Sequence, residues 1–294
     1  SIDYTDKKVA VEAAAYEIIE RIEQEYGAVF AKTEVELNGA KAPGNRTEET
    51  NLGDLITDAM MWAIKTKAPG VDMTNAVAIT NGGGIRAAIA KGDITKKDVN
   101  TVLPFGNTLA VVYVKGSELL EALEVSTYCT PKSLGGFPQF AGMEVELNTA
   151  CEYDANDTTY PGSTYFGPKS INRITIKTVN GKAFDKDATY AVITNDFLAA
   201  GGDTYYAFAA AQTQFDTGLP LDEILMEYIK LELNGVVTDK YAAPQGRLTI
   251  VNDPPVPGQP GSPATGDTGV VIYMGLAILA LTGGAFVARK KERF

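Results

Sequence analysis

The sequence predicts an α+β domain built on mixed sheet, followed by a proline-rich linker and one apolar span. Three observations carry this. Helical and strand-like segments intermix at short intervals, which favours α+β or mixed-sheet layering. The 294 residues are 45% hydrophobic and 21% charged, enough for a sizeable core. The chain then changes character near Val251, where prolines cluster ahead of an uncharged run. The expected organisation is a globular domain over 1–251, a linker over 252–266, and an anchor with a basic tail over 267–294.

Residues 6–26 read as an amphipathic helix, with Val9, Ala13, Tyr16, Ile19 and Ile22 on one stripe. Lys32 to Leu37 alternates as a strand ending at the Asn38-Gly39 turn. Residues 51–66 place Leu52, Leu55, Ile56, Ala59, Met60 and Ile64 at helical spacing. Ala76 to Thr80 is a short apolar strand that opens into a glycine run. Lys96 to Leu103 is a short helix, Leu109 to Val114 a strand and Gly116 to Val125 a helix. Met143 to Asn148, Ile174 to Thr178 and Tyr190 to Thr194 read as strands. Leu221 to Leu233 reads as a helix, and Arg247 to Val251 as the last strand. No internal repeat stands out.

The formal charge of −11 excludes a general binder of nucleic acid polymers, which needs a basic face to neutralise phosphates. A small anion remains open, because two well-placed arginines can hold one phosphate. The chain has no histidine. That argues against zinc, manganese or iron hydrolase sites and against Ser-His or Cys-His catalysis. The EF-hand pattern is missing too, so no metal ligand and no catalytic residue is assigned in this chain. Cys129 and Cys151 are either one disulfide or two unpaired thiols.

From Thr268 to Ala288 run 21 residues without a charge, long enough for a helix to span a hydrocarbon core. Arg289, Lys290, Lys291 and Arg293 follow as a cytoplasmic end. Ahead lies the spacer Val251 to Pro263, with Pro254, Pro255, Pro257, Pro260 and Pro263. Ser262-Pro263-Ala264-Thr265-Gly266, the span and the basic tail resemble a Gram-positive sortase sorting signal, with Ser where Leu is usual. The resemblance implies membrane insertion through the C-terminal helix, then cleavage between Thr265 and Gly266 by a sortase, which joins Thr265 to peptidoglycan. A plain single-span anchor is the alternative. Either way the globular part is expected to be extracellular, anchored to the cell wall or membrane. Residues 267–294 carry four positive and two negative charges, so residues 1–266 carry −13. The chain starts at Ser1 without an apolar leader, so further sequence is expected before it.

Four stretches carry chemistry: Asn45 to Asp54, the NGGGIR run at 81–86, Pro104 to Thr108, and Asn195 to Asp203. Only five arginines occur before the linker: Arg21, Arg46, Arg86, Arg173 and Arg247. Two of them, Arg46 and Arg86, sit in these turn-flanked stretches, where guanidinium groups suit phosphate or carboxylate. A glycine run lets backbone N–H groups approach an anion. Phe105 and Phe197 sit in loops next to apolar strands, where a ring can stack on a flat heterocycle. Asp203 suits a pair of sugar hydroxyls. Singly, each has a plainer reading as a turn, a core ring or a helix cap.

Together, the strings ETNLGDLITDAM, NGGGIR, LPFGNTL and NDFLAAGGD resemble the C-terminal domain of the 5'-nucleotidase family, over residues 5–250. That family includes UDP-sugar hydrolases and cyclic-nucleotide phosphodiesterases. The resemblance implies that Phe105 and Phe197 sandwich a base and that Asp203 binds ribose hydroxyls. It places Arg46, Asn81 and Arg86 at the ribose and phosphate, and Asn107 at the base edge. Full-length members carry an N-terminal metallophosphoesterase domain with two divalent metals, whose motifs this chain lacks. Binding of nucleosides or nucleotides without hydrolysis is therefore expected of this chain as part of a surface nucleotidase. A stand-alone nucleoside-binding module and a non-catalytic wall or adhesion protein are the alternatives.

Overall fold

The structure, a computed structural model, describes residues 4–254. The sorting motif with Thr265 and Gly266, most of the linker and the apolar span lie outside the described residues. Among the described residues no helix is long and apolar enough to cross a membrane.

A five-stranded mixed sheet lies at the centre. Its order is β12 (Thr213–Pro220), β4 (Thr108–Lys115), β11 (Thr189–Asn195), β2 (Ala76–Asn81) and β5 (Pro138–Ala141). β2 and β11 run parallel, and the other pairings are antiparallel. Side chains of a strand alternate between faces, and both faces here are covered, so all six residues of β2 are buried. Ala76 and Ala78 join one core with Leu109, Val111, Ala191 and Ile193. Val77 and Ile79 join the other with Ala110, Val112, Val114 and Val192.

The first core is closed by α2 (Asn51–Lys67) and α7 (Leu221–Glu227). Thr50 caps α2, its hydroxyl accepting from the Gly53 N–H. The helix begun by α7 continues through Tyr228–Glu232 as a wider π-type turn. The second core is closed by α4 (Gly116–Ser126), α6 (Tyr206–Ala209) and a four-stranded sheet. That sheet has the order β10 (Lys182–Ala183), β9 (Ile174–Val179), β6 (Met143–Asn148), β14 (Leu248–Val251). A third sheet orders β13 (Val236–Val237), β1 (Val29–Thr33) and β3 (Gly92–Thr95), with α3 (Lys96–Val102) following β3. β7 (Ala155–Thr159) and β8 (Phe166–Pro168) form a separate hairpin, and α5 (Asp196–Ala199) follows β11.

Two networks of charged side chains, wholly or partly buried, tie these layers. The Glu124 carboxylate, fully buried, accepts from the backbone N–H groups of Asn172, Arg173 and Ile174. The Arg173 guanidinium donates to the carbonyls of Thr127, Tyr128 and Thr130, closing the C-terminal end of α4. Elsewhere Arg247 approaches Asp58 at 2.5 Å and Asp54 at 3.4 Å, fixing the last strand to α2. Burial pushes the Asp54 carboxyl up to about 7 against the pull of Arg247, and nearby Glu49 adds to the rise.

The sequence reading departs from the structure at a few elements. β1 spans Val29–Thr33 rather than Lys32 to Leu37, because the Thr33 hydroxyl bonds the Val35 carbonyl and turns the chain. Leu37 keeps only an isolated bridge to Ile89. The first helix exists as α1 (Tyr4–Gly27), but its apolar stripe is not packed: Tyr16 is 69% exposed and Ile22 50%. Cys129 and Cys151 are both free thiols.

Candidate functional site: a cavity at one end of the central sheet

The topology brings four separate segments to one end of the central sheet. β2 and β11 are parallel neighbours, so their carboxyl ends, Asn81 and Asn195, lie side by side. β4 runs against β11 with Leu109 opposite Asn195, which puts the preceding Phe105 to Asn107 loop at the same end. β5 runs against β2 with Pro138 opposite Asn81, so Gly135 to Phe137 arrive there too. Open α/β sheets bind ligands outside the carboxyl ends of their parallel strands, and this end fits that rule.

Arg46, Asn81, Arg86, Phe105, Asn107, Phe197 and Asp203 all line one cavity of about 460 Å³ at this end. Gly83, Gly84 and Gly135 complete its wall. Gly135 lies outside the stretches singled out in the sequence; the Gly135-Gly136 pair ahead of β5 was its only signal.

Each side chain has a local reason for its place. Asn195 caps α5, accepting from Leu198 N–H at 2.8 Å, while its amide donates towards Thr80 and Asn81 at 3.2 and 3.3 Å. Asn81 in turn donates to the Asp203 carboxylate at 2.8 Å. Asp203 holds a positive φ of 52°, a conformation that short polar residues tolerate best, and so it forms no helix cap. The Asn107 amide donates at 2.6 Å to Asp196, and the same oxygen accepts from Phe197 N–H at 2.9 Å. That carboxylate therefore ties the two phenylalanine loops together.

The two rings stand open. Phe105 is 60% exposed and Phe197 45%, unusual for large apolar side chains. Phe197 lies against Gly202, where an added Cβ would come within 2.5 Å of the ring. Arg86 sits 5.6 Å above the Phe105 ring and donates to the Gly83 carbonyl at 3.0 Å. Arg46 is held by its backbone, its carbonyl accepting from Leu134 N–H at 3.1 Å, while its buried Nε has no partner.

The glycine run works differently from an anion cradle. Gly82 and Gly83 donate their N–H groups to Phe137 and Gly135, both at 2.7 Å. What the run permits is close approach: a Cβ on Gly82 would lie 1.7 Å from the Asn45 carbonyl. An anion in this cavity would thus meet the arginine side chains rather than these two amides.

The cavity offers two cations, two amides, one carboxylate and two open rings, a set suited to holding a ligand with a flat ring and an anionic group. Metal ligands do not assemble: the chain has no histidine, and among the described residues no group of three or more His, Cys, Asp or Glu comes together. The described residues do not fit a two-metal centre.

The family model described as the 5'-nucleotidase C-terminal domain matches residues 29–210. The trifunctional nucleotide phosphoesterase protein YfkN of Bacillus subtilis is 40% identical over 221 residues, covering 74% of this chain and 14% of that protein. A 5'-nucleotidase of Vibrio cholerae is 30% identical, covering 76% of this chain and 35% of the relative. The crystal structure of a 5'-nucleotidase precursor from Thermus thermophilus superposes with a TM-score of 0.64 at 35% identity, covering 83% of this chain and 43% of that one. The chain thus spans less than half the length of each of these relatives. On the matched residues and these identities, the chain belongs to the 5'-nucleotidase C-terminal domain family.

Proposed function

We propose that this chain is the nucleotide-binding part of a cell-surface 5'-nucleotidase, which hydrolyses extracellular nucleotides to nucleoside and phosphate. The single observation that supports it most is the convergence of seven side chains, drawn from four separate segments, on one cavity. Phe105 and Phe197 take the base between their open faces, which suits any base because stacking needs only a π-face. Asp203 accepts from the ribose hydroxyls, with Asn81 orienting its carboxylate. Arg86 and Arg46 hold the phosphate with charge-assisted donors. Asn107, its amide turned to Asp196, meets the base edge through its remaining carbonyl oxygen.

The chain's share of the reaction is binding and orientation; the two divalent metals of the family's hydrolytic chemistry belong to residues outside this chain. Anchoring by a sortase to peptidoglycan, after passage through the membrane by the C-terminal span, places this activity at the cell surface. Calorimetric titration of the full chain with adenosine and AMP, beside the Phe197→Ala variant, tests the binding role. Heat with the parent and its loss in the variant are expected. Equal heats for both proteins, or none with the parent at millimolar ligand, would count against it.

A further inference from the structure

A second cavity, of about 290 Å³, lies between the end of α4 and the β7–β8 hairpin. Its walls are Tyr128, Tyr153, Tyr165 and Phe166, with Val125, Ala155 and Thr164 between them. None of the seven carries a formal charge, in a chain whose net charge is −11. That volume sits at the low end for ligand pockets, with room for one ring rather than a nucleotide.

The rings are held but not covered. Tyr128 lies against Tyr153 at 5.7 Å and against Tyr165 at 6.5 Å, in tilted and edge-on packing. The Tyr153 hydroxyl donates to the Phe166 carbonyl at 2.5 Å and fixes the hairpin to the ring cluster. Yet Phe166 remains 44% exposed and Tyr128 38%. Aromatic rings with polar tips are enriched at binding surfaces, where one part of the ring is buried and the tip stays wet.

The hairpin end also packs on the segment that follows Asp203. Tyr160, at the hairpin end, stacks on Tyr206 at 4.6 Å, three residues after Asp203. Its hydroxyl donates to Glu121 on α4 at 2.5 Å, and its N–H donates to the Tyr165 carbonyl at 2.9 Å. The wall of the second cavity is therefore braced against α6, which begins three residues after Asp203.

We infer that this aromatic cavity is a second binding site, for a neutral pyranose ring. Such a ring lays its C–H face on an aromatic plane, and its hydroxyls meet the phenol tips and the Thr164 hydroxyl. The absence of charge in the lining disfavours a phosphate or carboxylate, and the phenols favour a hydroxylated ring over a purely apolar one. The ring has two possible sources, a free saccharide end or the sugar of a sugar nucleotide whose nucleotide part sits in the first cavity.

Saturation-transfer NMR on the full chain tests this, with methyl β-glucoside, methyl N-acetyl-β-glucosaminide, UDP-glucose and phenol as probes. Parent, Tyr165→Ala, Phe166→Ala and Phe197→Ala are compared, with thermal melts to confirm folding. Transfer to a methyl glycoside, about fivefold weaker in Tyr165→Ala and Phe166→Ala and unchanged in Phe197→Ala, supports a free saccharide. Transfer to the glucose protons of UDP-glucose that falls in Tyr165→Ala supports the sugar nucleotide. If the nucleotide reading fails while glycoside transfer persists, the inference stands on its own. Transfer to phenol alone, to none of the probes at 10 mM-scale concentration, or transfer that survives both hairpin substitutions overturns it.

Discussion

Two pairs of arginines in this molecule make opposite use of the same side chain. Arg173 and Arg247 lie in the body of the fold with partners on their guanidinium groups: three carbonyls for the first, two carboxylates for the second. Arg46 and Arg86 lie at the open end of the central sheet. Arg86 bonds one carbonyl and rests over a phenylalanine, and the Arg46 Nε has no partner. A guanidinium whose terminal nitrogens are taken up by protein groups holds elements together, even where, as at Arg173, the Nε has no partner. One with donors to spare, beside an exposed ring, is set to take an anion from solution. These four arginines thus divide by what their terminal nitrogens meet rather than by burial alone.

The contrast is broken most forcefully at its structural side. Arg173→Ala leaves the buried Glu124 without its nearby cation and the Thr127, Tyr128 and Thr130 carbonyls without a donor, and is expected to lower stability by about 3–5 kcal/mol. Urea unfolding checks this, and the loss is expected without a change in m-value. Gly82→Ala sits between the two regions. Its Cβ would press on the Asn45 carbonyl, and a stability loss of about 1–3 kcal/mol is expected together with weaker AMP binding, because the Arg46 loop must move.

Phe197→Ala is expected to leave stability unchanged and to weaken adenosine and AMP alike by about 1–3 kcal/mol, between about fivefold and about a hundredfold, as titration would show. The last effect concerns Asp54 and is read in pH rather than in affinity. Its folded carboxyl titrates at about 7 against an ordinary value of 3.8. Between those values the folded state keeps a proton that the unfolded state has released, so its contribution to stability falls as pH rises through that window. Asp54→Asn removes the titration, so melting temperature is expected to decline less between pH 4 and 7 in the variant than in the parent.

Much of this was legible in the sequence, for a physical reason. Strands such as Ala76 to Thr80 and Tyr190 to Thr194 are buried on both faces and read as unbroken apolar runs, and the loops at their ends hold the polar motifs. Six of the seven proposed binding residues lie at those strand ends or in the loops beside them, and Arg46 lies in the turn-rich stretch ahead of α2. What escaped was structure without an apolar signal. β12 is an edge strand of largely exposed residues, and β7 is exposed throughout, so neither shows alternation. Gly135 acts through backbone proximity, which no side-chain pattern announces. The stripe on α1 was read correctly as amphipathic, yet it stays exposed among the described residues, because periodicity tells which face is apolar and not what covers it.

The central claim is that the open arginines read phosphate while the rings read the base. Its most direct test is the ratio of AMP to adenosine affinity, measured by titration in the parent and in Arg86→Ala. The account predicts that AMP weakens by about 1.5–3 kcal/mol, tenfold or more, while adenosine is unmoved, so the preference for AMP collapses. Equal losses for both ligands, or a preserved AMP preference, would contradict it.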